Sequence, residues 1–136
     1  MQRYYEVIRE MHEEWEGNFK AFIEGLKRKE MCVILFGSKA KGEDNLLSDF
    51  DLVIITNKED LALEIDFPTD LFCYTIEECL KEIKNKNTIL LDAFSLGKVI
   101  FDDIGVFDFF KNEVKKVVER SGLMRCEAGW LVEGAR

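Results

Sequence analysis

The sequence has 136 residues, which suits one domain, and 47% of them are hydrophobic, enough to bury a core. The net charge is −8, which argues against nucleic-acid binding because that function needs a basic surface for the phosphates. The N-terminal segment is charged throughout, unlike a signal peptide, and no apolar run approaches the roughly 18 residues of a membrane span. We therefore expect a soluble cytoplasmic protein.

The cysteines and the single histidine do not have the spacing of a zinc site. No C-x-x-C pair occurs among the four cysteines, which are Cys32, Cys73, Cys79 and Cys126. Cys32 and Cys73 lie in apolar strand-like runs. We expect free buried thiols, as in proteins of a reducing compartment.

Helical and strand-like segments alternate along the chain. In chain order, we predict a helix at 2–29 (one helix, or two broken near 17–18), a strand at 31–36, a helical turn at 39–42, a strand at 50–56, a polar turn at 57–61, a strand within 63–75, helices at 76–86 and 88–96, a short strand at 99–103 and a helix at 106–120. Pro68 marks a break or a sheet edge because it cannot donate to a strand ladder. No element is predicted for the tail at 123–136. The alternation indicates an α/β or α+β fold with a small sheet.

Asp49 and Asp51 are candidate metal ligands. They are two residues apart in the second predicted strand, so their side chains point to the same face. Two carboxylates at this spacing can converge on one or two divalent cations, and a cation removes the repulsion between them. A D-x-D pair standing alone is more often simply solvated, so its surroundings decide the interpretation.

The Gly37-Ser38 pair that follows the first predicted strand favours the functional interpretation. Gly37 permits a positive φ or a close backbone approach, and Ser38 offers a hydroxyl and an N–H before a helical turn that attracts anions. Lys39 and Lys41 add two nearby cations. A phosphate cradle beside a metal-binding pair is what a nucleoside triphosphate chelated to Mg²⁺ requires.

This arrangement resembles a known family. Gly37-Ser38, ten residues, and then Asp49-Phe50-Asp51 is similar to the GS-x10-D-x-D signature of the minimal nucleotidyltransferases, in the DNA polymerase β superfamily. The likeness extends to PTDLFCYTIEECLKEI at 68–83, similar to the family's third-carboxylate strand and its next helix, and to TILLDAFSLGKVIFDD at 88–103. It implies the nucleotidyltransferase fold, a small mixed sheet flanked by helices. The expected organisation is one nucleotidyltransferase domain over 1–136, with its core at about 31–103, an N-terminal helix at 2–29, and a C-terminal helix at 106–120 followed by the tail.

The chain departs from the family in two places. It reads GSKAKG where relatives commonly read GSRARG, so lysine point charges replace bidentate arginine contacts with phosphate. The stretch at 57–69 is also short where relatives often insert a helix. These departures imply an altered grip on the triphosphate and a more open acceptor site.

The resemblance also implies roles for individual residues. Asp49 and Asp51 hold one or two Mg²⁺ ions, and a third carboxylate activates the attacking hydroxyl and contacts the metal. Asp70 and Asp66 are the candidates for this third carboxylate, and the match of the D-L-F-C-Y-T segment favours Asp70. The triphosphate is expected to bind Gly37, Ser38 and Lys41.

The expected reaction is transfer of a nucleoside monophosphate, with AMP from ATP as the expected case, to a hydroxyl acceptor. The resemblance implies a helical partner of the HEPN type, with this chain as the antitoxin of a toxin–antitoxin pair. Two alternatives stay open: a small-molecule transferase of the aminoglycoside type, and a nucleotide-binding module without catalysis. The aromatic helices at 4–26 and 106–120 carry more large apolar residues than one small sheet can cover, which predicts a homodimer or a helical partner.

Overall fold

The computed structural model describes residues 2–27, 29–37, 50–58, 63–126 and 129–132, without the side chains of residues 2–5 and 8. Its elements are α1 (Gln2–Leu26), β1 (Cys32–Phe36), β2 (Phe50–Ile55), β3 (Thr69–Tyr74), α2 (Ile76–Lys84), α3 (Thr88–Leu96), β4 (Lys98–Asp102), α4 (Phe107–Ser121), β5 (Leu123–Cys126) and β6 (Gly129–Val132). A four-stranded mixed sheet has α1 on one face and α2, α3 and α4 on the other. The expected α+β fold, a small mixed sheet flanked by helices, is confirmed.

The sheet has the strand order β3-β2-β1-β4. Strand β1 pairs antiparallel with both β2 and β4, and β2 pairs parallel with β3. In β2, Leu52 and Ile54 pack on the α1 side, whereas Val53 and Ile55 pack against the three other helices. A strand buried on both faces must be apolar at successive positions, and the run LVII at 52–55 meets this condition as an interior strand.

Helix α1 is continuous through residues 17–18, so the prediction of one helix holds and the alternative of two helices does not. The Asn18 side chain does not compete with the helical backbone, because its Nδ2 donates to the Asp66 carbonyl oxygen at 2.9 Å. Trp15, Phe19 and Phe22 are half-buried against the sheet core. Within the ranges that the structure describes, no helix combines the length and the apolar character needed to cross a membrane.

The helix ends follow the predicted signals closely. Thr75 caps α2 by accepting the Glu78 N–H at 3.0 Å, as the sequence predicted. Helix α3 ends at Gly97, also as predicted. Helix α4 ends at Gly122, which has a left-handed φ of 65° that glycine adopts without strain.

The tail, for which no element was predicted, contains a β-hairpin. Strands β5 and β6 pair antiparallel, and Trp130 lies opposite Arg125. Both side chains donate to one carboxylate oxygen of Asp92 on α3, from Trp130 Nε1 at 2.8 Å and from Arg125 Nε at 2.9 Å. These long-range bonds attach the hairpin to the helical layer.

The prediction of buried thiols holds for two of the four cysteines. All four cysteines are free. Cys32 and Cys79 are buried, but Cys126 is half-buried and Cys73 is exposed. The prediction for Cys73 is wrong because β3 is an edge strand, with a neighbouring strand on one side only.

Candidate active site

Two of the predicted carboxylates meet at one end of the sheet. Asp51 lies opposite Asp70 in the parallel register of β2 and β3. Neighbouring strands are about 4.8 Å apart, and paired residues of a ladder project to the same face. Asp51 is half-buried and Asp70 is exposed. The two strands therefore bring two carboxylates side by side, one anchored in the sheet and one open to solvent.

The start of β3 is bonded to the start of β2. The Phe50 N–H donates to the Pro68 carbonyl oxygen at 3.0 Å, and the Thr69 hydroxyl donates to the Phe50 carbonyl oxygen at 2.7 Å. These bonds hold the register in which the next residues of the two strands, Asp51 on β2 and Asp70 on β3, lie opposite each other. Sequence reasoning did not single out Thr69. A β-branched residue with a hydroxyl, directly after Pro68 and before a candidate carboxylate, was the available signal.

Gly37 lies against the Asp51 carboxylate. Its φ is 79°, a left-handed conformation that disfavours other residues. A Cβ placed on Gly37 would lie 3.2 Å from Asp51 Cγ and would overlap Asp51 Oδ2. Two features therefore require a glycine at position 37: the left-handed backbone angle and the space that the Asp51 carboxylate occupies.

A second close approach involves Gly97, which packs against β1, the strand that leads to Gly37. A Cβ on Gly97 would lie 2.9 Å from Ile34 Cγ2 and 3.0 Å from the Leu35 carbonyl oxygen. The turn between α3 and β4 is therefore packed tightly on β1. This contact supports the strand end from which Gly37 approaches Asp51.

Three of the predicted site residues lie outside the described residues. These are Ser38, Lys41 and Asp49, together with the helical turn expected at 39–42. Asp49 directly precedes Phe50, the first residue of β2. Gly37, Asp51 and Asp70 are the predicted site residues whose positions are known.

Asp66, the alternative third carboxylate, lies elsewhere. It precedes β3, is exposed, and accepts the Asn18 side-chain amide through its backbone carbonyl. With Asn18 and Phe22 it lines a cavity of about 390 Å³ beside α1. Asp70, and not Asp66, is therefore the residue that β3 carries next to Asp51.

The paired carboxylates suit a hard divalent cation. Mg²⁺ prefers oxygen ligands, is commonly held by one or two carboxylates, and keeps further positions for water or phosphate oxygens. Among the residues described, no group of three or more His, Cys, Asp or Glu side chains is arranged around a common metal position. Asp49, the predicted second ligand, is not among those residues. The fit of a cation therefore rests on the chemistry and the register of Asp51 and Asp70.

The buried thiols are poor candidates for nucleophilic chemistry. Burial raises the pKa of the Cys79 thiol to about 12, and burial likewise raises the pKa of Cys32 above its usual range. Partial desolvation against the sheet also raises the pKa of the Cys73 thiol, although this residue is exposed overall, and it raises the pKa of half-buried Tyr74 on β3. These groups stay protonated at pH 7, and a thiol reacts as its thiolate.

Comparison with known proteins bears on the family and the fold of the chain. The sequence model of the nucleotidyltransferase domain matches residues 19–122, which include Gly37, Asp51 and Asp70. A search of curated protein sequences finds no match. Among solved structures, the chain is similar to one described as a toxin-antitoxin with AMP-PNP, with a TM-score of 0.52 and 16% sequence identity, over 79% of this chain and 89% of the other.

At 16% sequence identity, the similarity to the solved structure shows a shared fold. The sequence model covers most of the chain and shows the family. The expected resemblance to the nucleotidyltransferases is thereby confirmed at the level of the family, as is the expectation of an enzyme that transfers nucleotidyl groups. The chain belongs to the nucleotidyltransferase domain family.

Proposed function

We propose that the protein catalyses Mg²⁺-dependent transfer of a nucleoside monophosphate, AMP from ATP, to a hydroxyl group, with release of pyrophosphate. The observation that carries this proposal is the register that pairs Asp51 with Asp70 beside Gly37. The family supplies the reaction class, and the strand register supplies two carboxylates with different exposure. Unequal exposure suits two different roles.

Asp51 is proposed as a metal ligand, together with Asp49. Its half-buried position between Gly37 and β3 restricts the carboxylate, and a restricted ligand is suited to orienting a bound group. When bound, Mg²⁺ would neutralise charge on the phosphates and on the pyrophosphate leaving group. Gly37, Ser38 and Lys41 are proposed to bind the triphosphate.

Asp70 is proposed as the general base, and as a residue that also contacts the metal. It lies on an edge strand and is exposed, so an acceptor hydroxyl can reach it from solvent. In the proposed step, the hydroxyl oxygen forms a bond to the α-phosphorus and the bond from that phosphorus to pyrophosphate breaks. The hydroxyl proton passes to the Asp70 carboxylate.

The donor and the acceptor are proposed by analogy with the structural relative. That protein is described as a toxin-antitoxin with AMP-PNP, which supports an adenine nucleotide as donor and a protein as partner. We propose that this chain is the antitoxin of such a pair. A helical HEPN-type protein would supply the acceptor hydroxyl, and an acidic chain suits a partner with a basic RNA-binding surface.

The test compares two aspartate-to-asparagine variants. Transfer of labelled α-phosphate from ATP is followed on a gel, with a co-expressed HEPN-type protein and, separately, an aminoglycoside as acceptors. Asp70→Asn should lower transfer at least about a hundredfold and keep most of the affinity for Mg²⁺–ATP, because a general base contributes about 10² to 10⁴ in rate. Asp66→Asn is the matched control, since this carboxylate is also exposed but precedes β3.

Each outcome has a defined meaning. If Asp66→Asn loses transfer and Asp70→Asn does not, the assignment of Asp70 as the third carboxylate is wrong and the proposed reaction still stands. Labelling of the aminoglycoside alone would identify a small-molecule transferase. Nucleotide binding without transfer to either acceptor would favour the binding module. Equal nucleotide affinity in Mg²⁺ and in EDTA, measured by calorimetry, would exclude a bridging metal.

A further inference from the structure

The N-terminal half of α1 carries an exposed apolar ridge with acidic residues along it. Val7 is 48% exposed and Met11 is 39% exposed. They lie two turns and one turn before Trp15, the first residue of α1 that packs on the sheet core among the described side chains. Glu10 and Glu14 are also exposed and one turn apart, and helical spacing places them along one side of this ridge. Val7, Met11, Glu10 and Glu14 are named here the acidic ridge.

The opposite face of the molecule has a groove between α3 and α4. The groove is open to solvent and has a volume of about 510 Å³, and its apolar floor is formed by Phe94 and Val114, which are buried, and by half-buried Val118. Lys111 and Lys115 line it too, and both are exposed. These five residues are named here the basic groove. The combination of apolar lining and paired lysines fits an amphipathic acidic helix.

The two surfaces match in spacing as well as in charge. The two glutamates of the ridge and the two lysines of the groove are each four residues apart on a helix, a rise of about 6 Å. The two apolar residues of the ridge have the same separation. The groove extends along α4 from Lys111 to Val118, seven residues or about 10 Å. It is therefore long enough for the glutamate pair and the apolar pair of the ridge.

We propose that the acidic ridge of one copy docks in the basic groove of a second copy. Contact between two ridges would bring glutamates together, and contact between two grooves would bring lysines together, so charge favours the ridge-to-groove arrangement. Asp108 lies in the groove near Lys111 and lowers the positive charge at that end. Of the two glutamate–lysine contacts, the one at Lys115 is therefore expected to be the stronger.

The contact is head-to-tail, not symmetric. The ridge belongs to the helix on one face of the sheet and the groove to the helices on the other face, so one copy cannot fill its own groove. Each copy presents both surfaces, and repetition of the contact gives a closed ring or an open chain. Neither surface includes Gly37, Asp51 or Asp70. This inference is therefore independent of the proposed transfer reaction.

Charge reversal tests the proposal on the intact chain. Sedimentation velocity of the wild type should show mass that grows with concentration and falls as salt is added. Reversing the ridge (Glu10→Lys with Glu14→Lys) or the groove (Lys111→Glu with Lys115→Glu) should weaken association at least about tenfold, because two attractive pairs become two repulsive ones. Mixing the two variants should restore association, since each reversed surface then meets its complement.

A second pair of cations on α4 provides the matched control. Lys116→Glu with Arg120→Glu makes the same change in net charge on the same helix, outside the residues that line the groove. This variant should associate like the wild type. The proposal is overturned if the wild type stays monomeric at high micromolar concentration and low salt, if both reversed variants associate like the wild type, or if their mixture stays monomeric. Circular dichroism of each variant shows whether it has folded.

Discussion

Gly37→Ala tests whether the glycine positions Asp51. The substitution adds one methyl group at a residue with φ 79°. An L-residue in the left-handed region costs about 1–2 kcal/mol, so the free energy of unfolding should fall by about that amount. The new Cβ would also lie 3.2 Å from Asp51 Cγ, inside the 3.4 Å at which ordinary contacts begin, and would overlap Oδ2. The carboxylate must therefore rotate or retreat.

The expected effect on catalysis follows from that displacement. A misplacement of about 1 Å at a reacting group costs on the order of a hundredfold in rate. Nucleotidyl transfer by Gly37→Ala should therefore fall about ten- to a hundredfold, measured as labelled α-phosphate transferred per minute by folded protein. Urea denaturation measures the change in stability separately.

Gly105→Ala separates backbone strain from the contact with Asp51. Gly105 has a similar φ of 68°, but a Cβ there would meet no atom within 4 Å. This control should lose about the same 1–2 kcal/mol of stability and keep wild-type transfer. The reasoning is refuted if Gly37→Ala transfers nucleotide as fast as Gly105→Ala, because the contact would then have no part in positioning the carboxylate.

Three further predictions concern stability and are checked by urea denaturation. Asp102→Asn should cost about 1–3 kcal/mol, because the carboxylate accepts three N–H groups at the start of α4 and an amide has one acceptor oxygen; unchanged stability would contradict this role. Phe50→Ala should cost about 3–5 kcal/mol, since this ring is 2% exposed and stacks on Phe19 with centroids 4.6 Å apart; a cost under about 1 kcal/mol would contradict the packing. Burial raises the pKa of Cys79 from 9.0 to about 12, so stability should be fully present below pH 9 and should fall above it by up to about 1.4 kcal/mol per pH unit. Cys79→Ala should remove this part of the slope, and an unchanged slope would contradict the assignment.

The strands of the sheet could be predicted from the sequence, but their pairing could not. The runs around Phe36 and Leu52 are apolar and short, which indicates buried strands whatever their neighbours. Alternation along β2 also predicts which residues share the face of Asp51. The parallel register with β3 depends on bonds between Thr69 and Phe50, nineteen residues apart, and no local pattern reports such bonds. The choice of Asp70 came from the family resemblance.

The C-terminal hairpin shows a second limit of local reasoning. Its strands are four residues long, and β6 contains a glycine, which weakens the strand pattern. Trp130 is held by Asp92, 38 residues earlier in the chain. Tertiary bonding of this kind orders a segment whose own sequence indicates no element.

The parallel pairing of β2 with β3 also has a consequence for the kinetics of refolding. Parallel strands meet only after a long connection has closed, and non-local closure is slow compared with helix formation. Asp51 and Asp70 come together only through that ladder. A refolding chain should therefore form its helices before it regains nucleotidyl transfer, and the lag between circular dichroism and recovered activity would time the closure of this edge of the sheet.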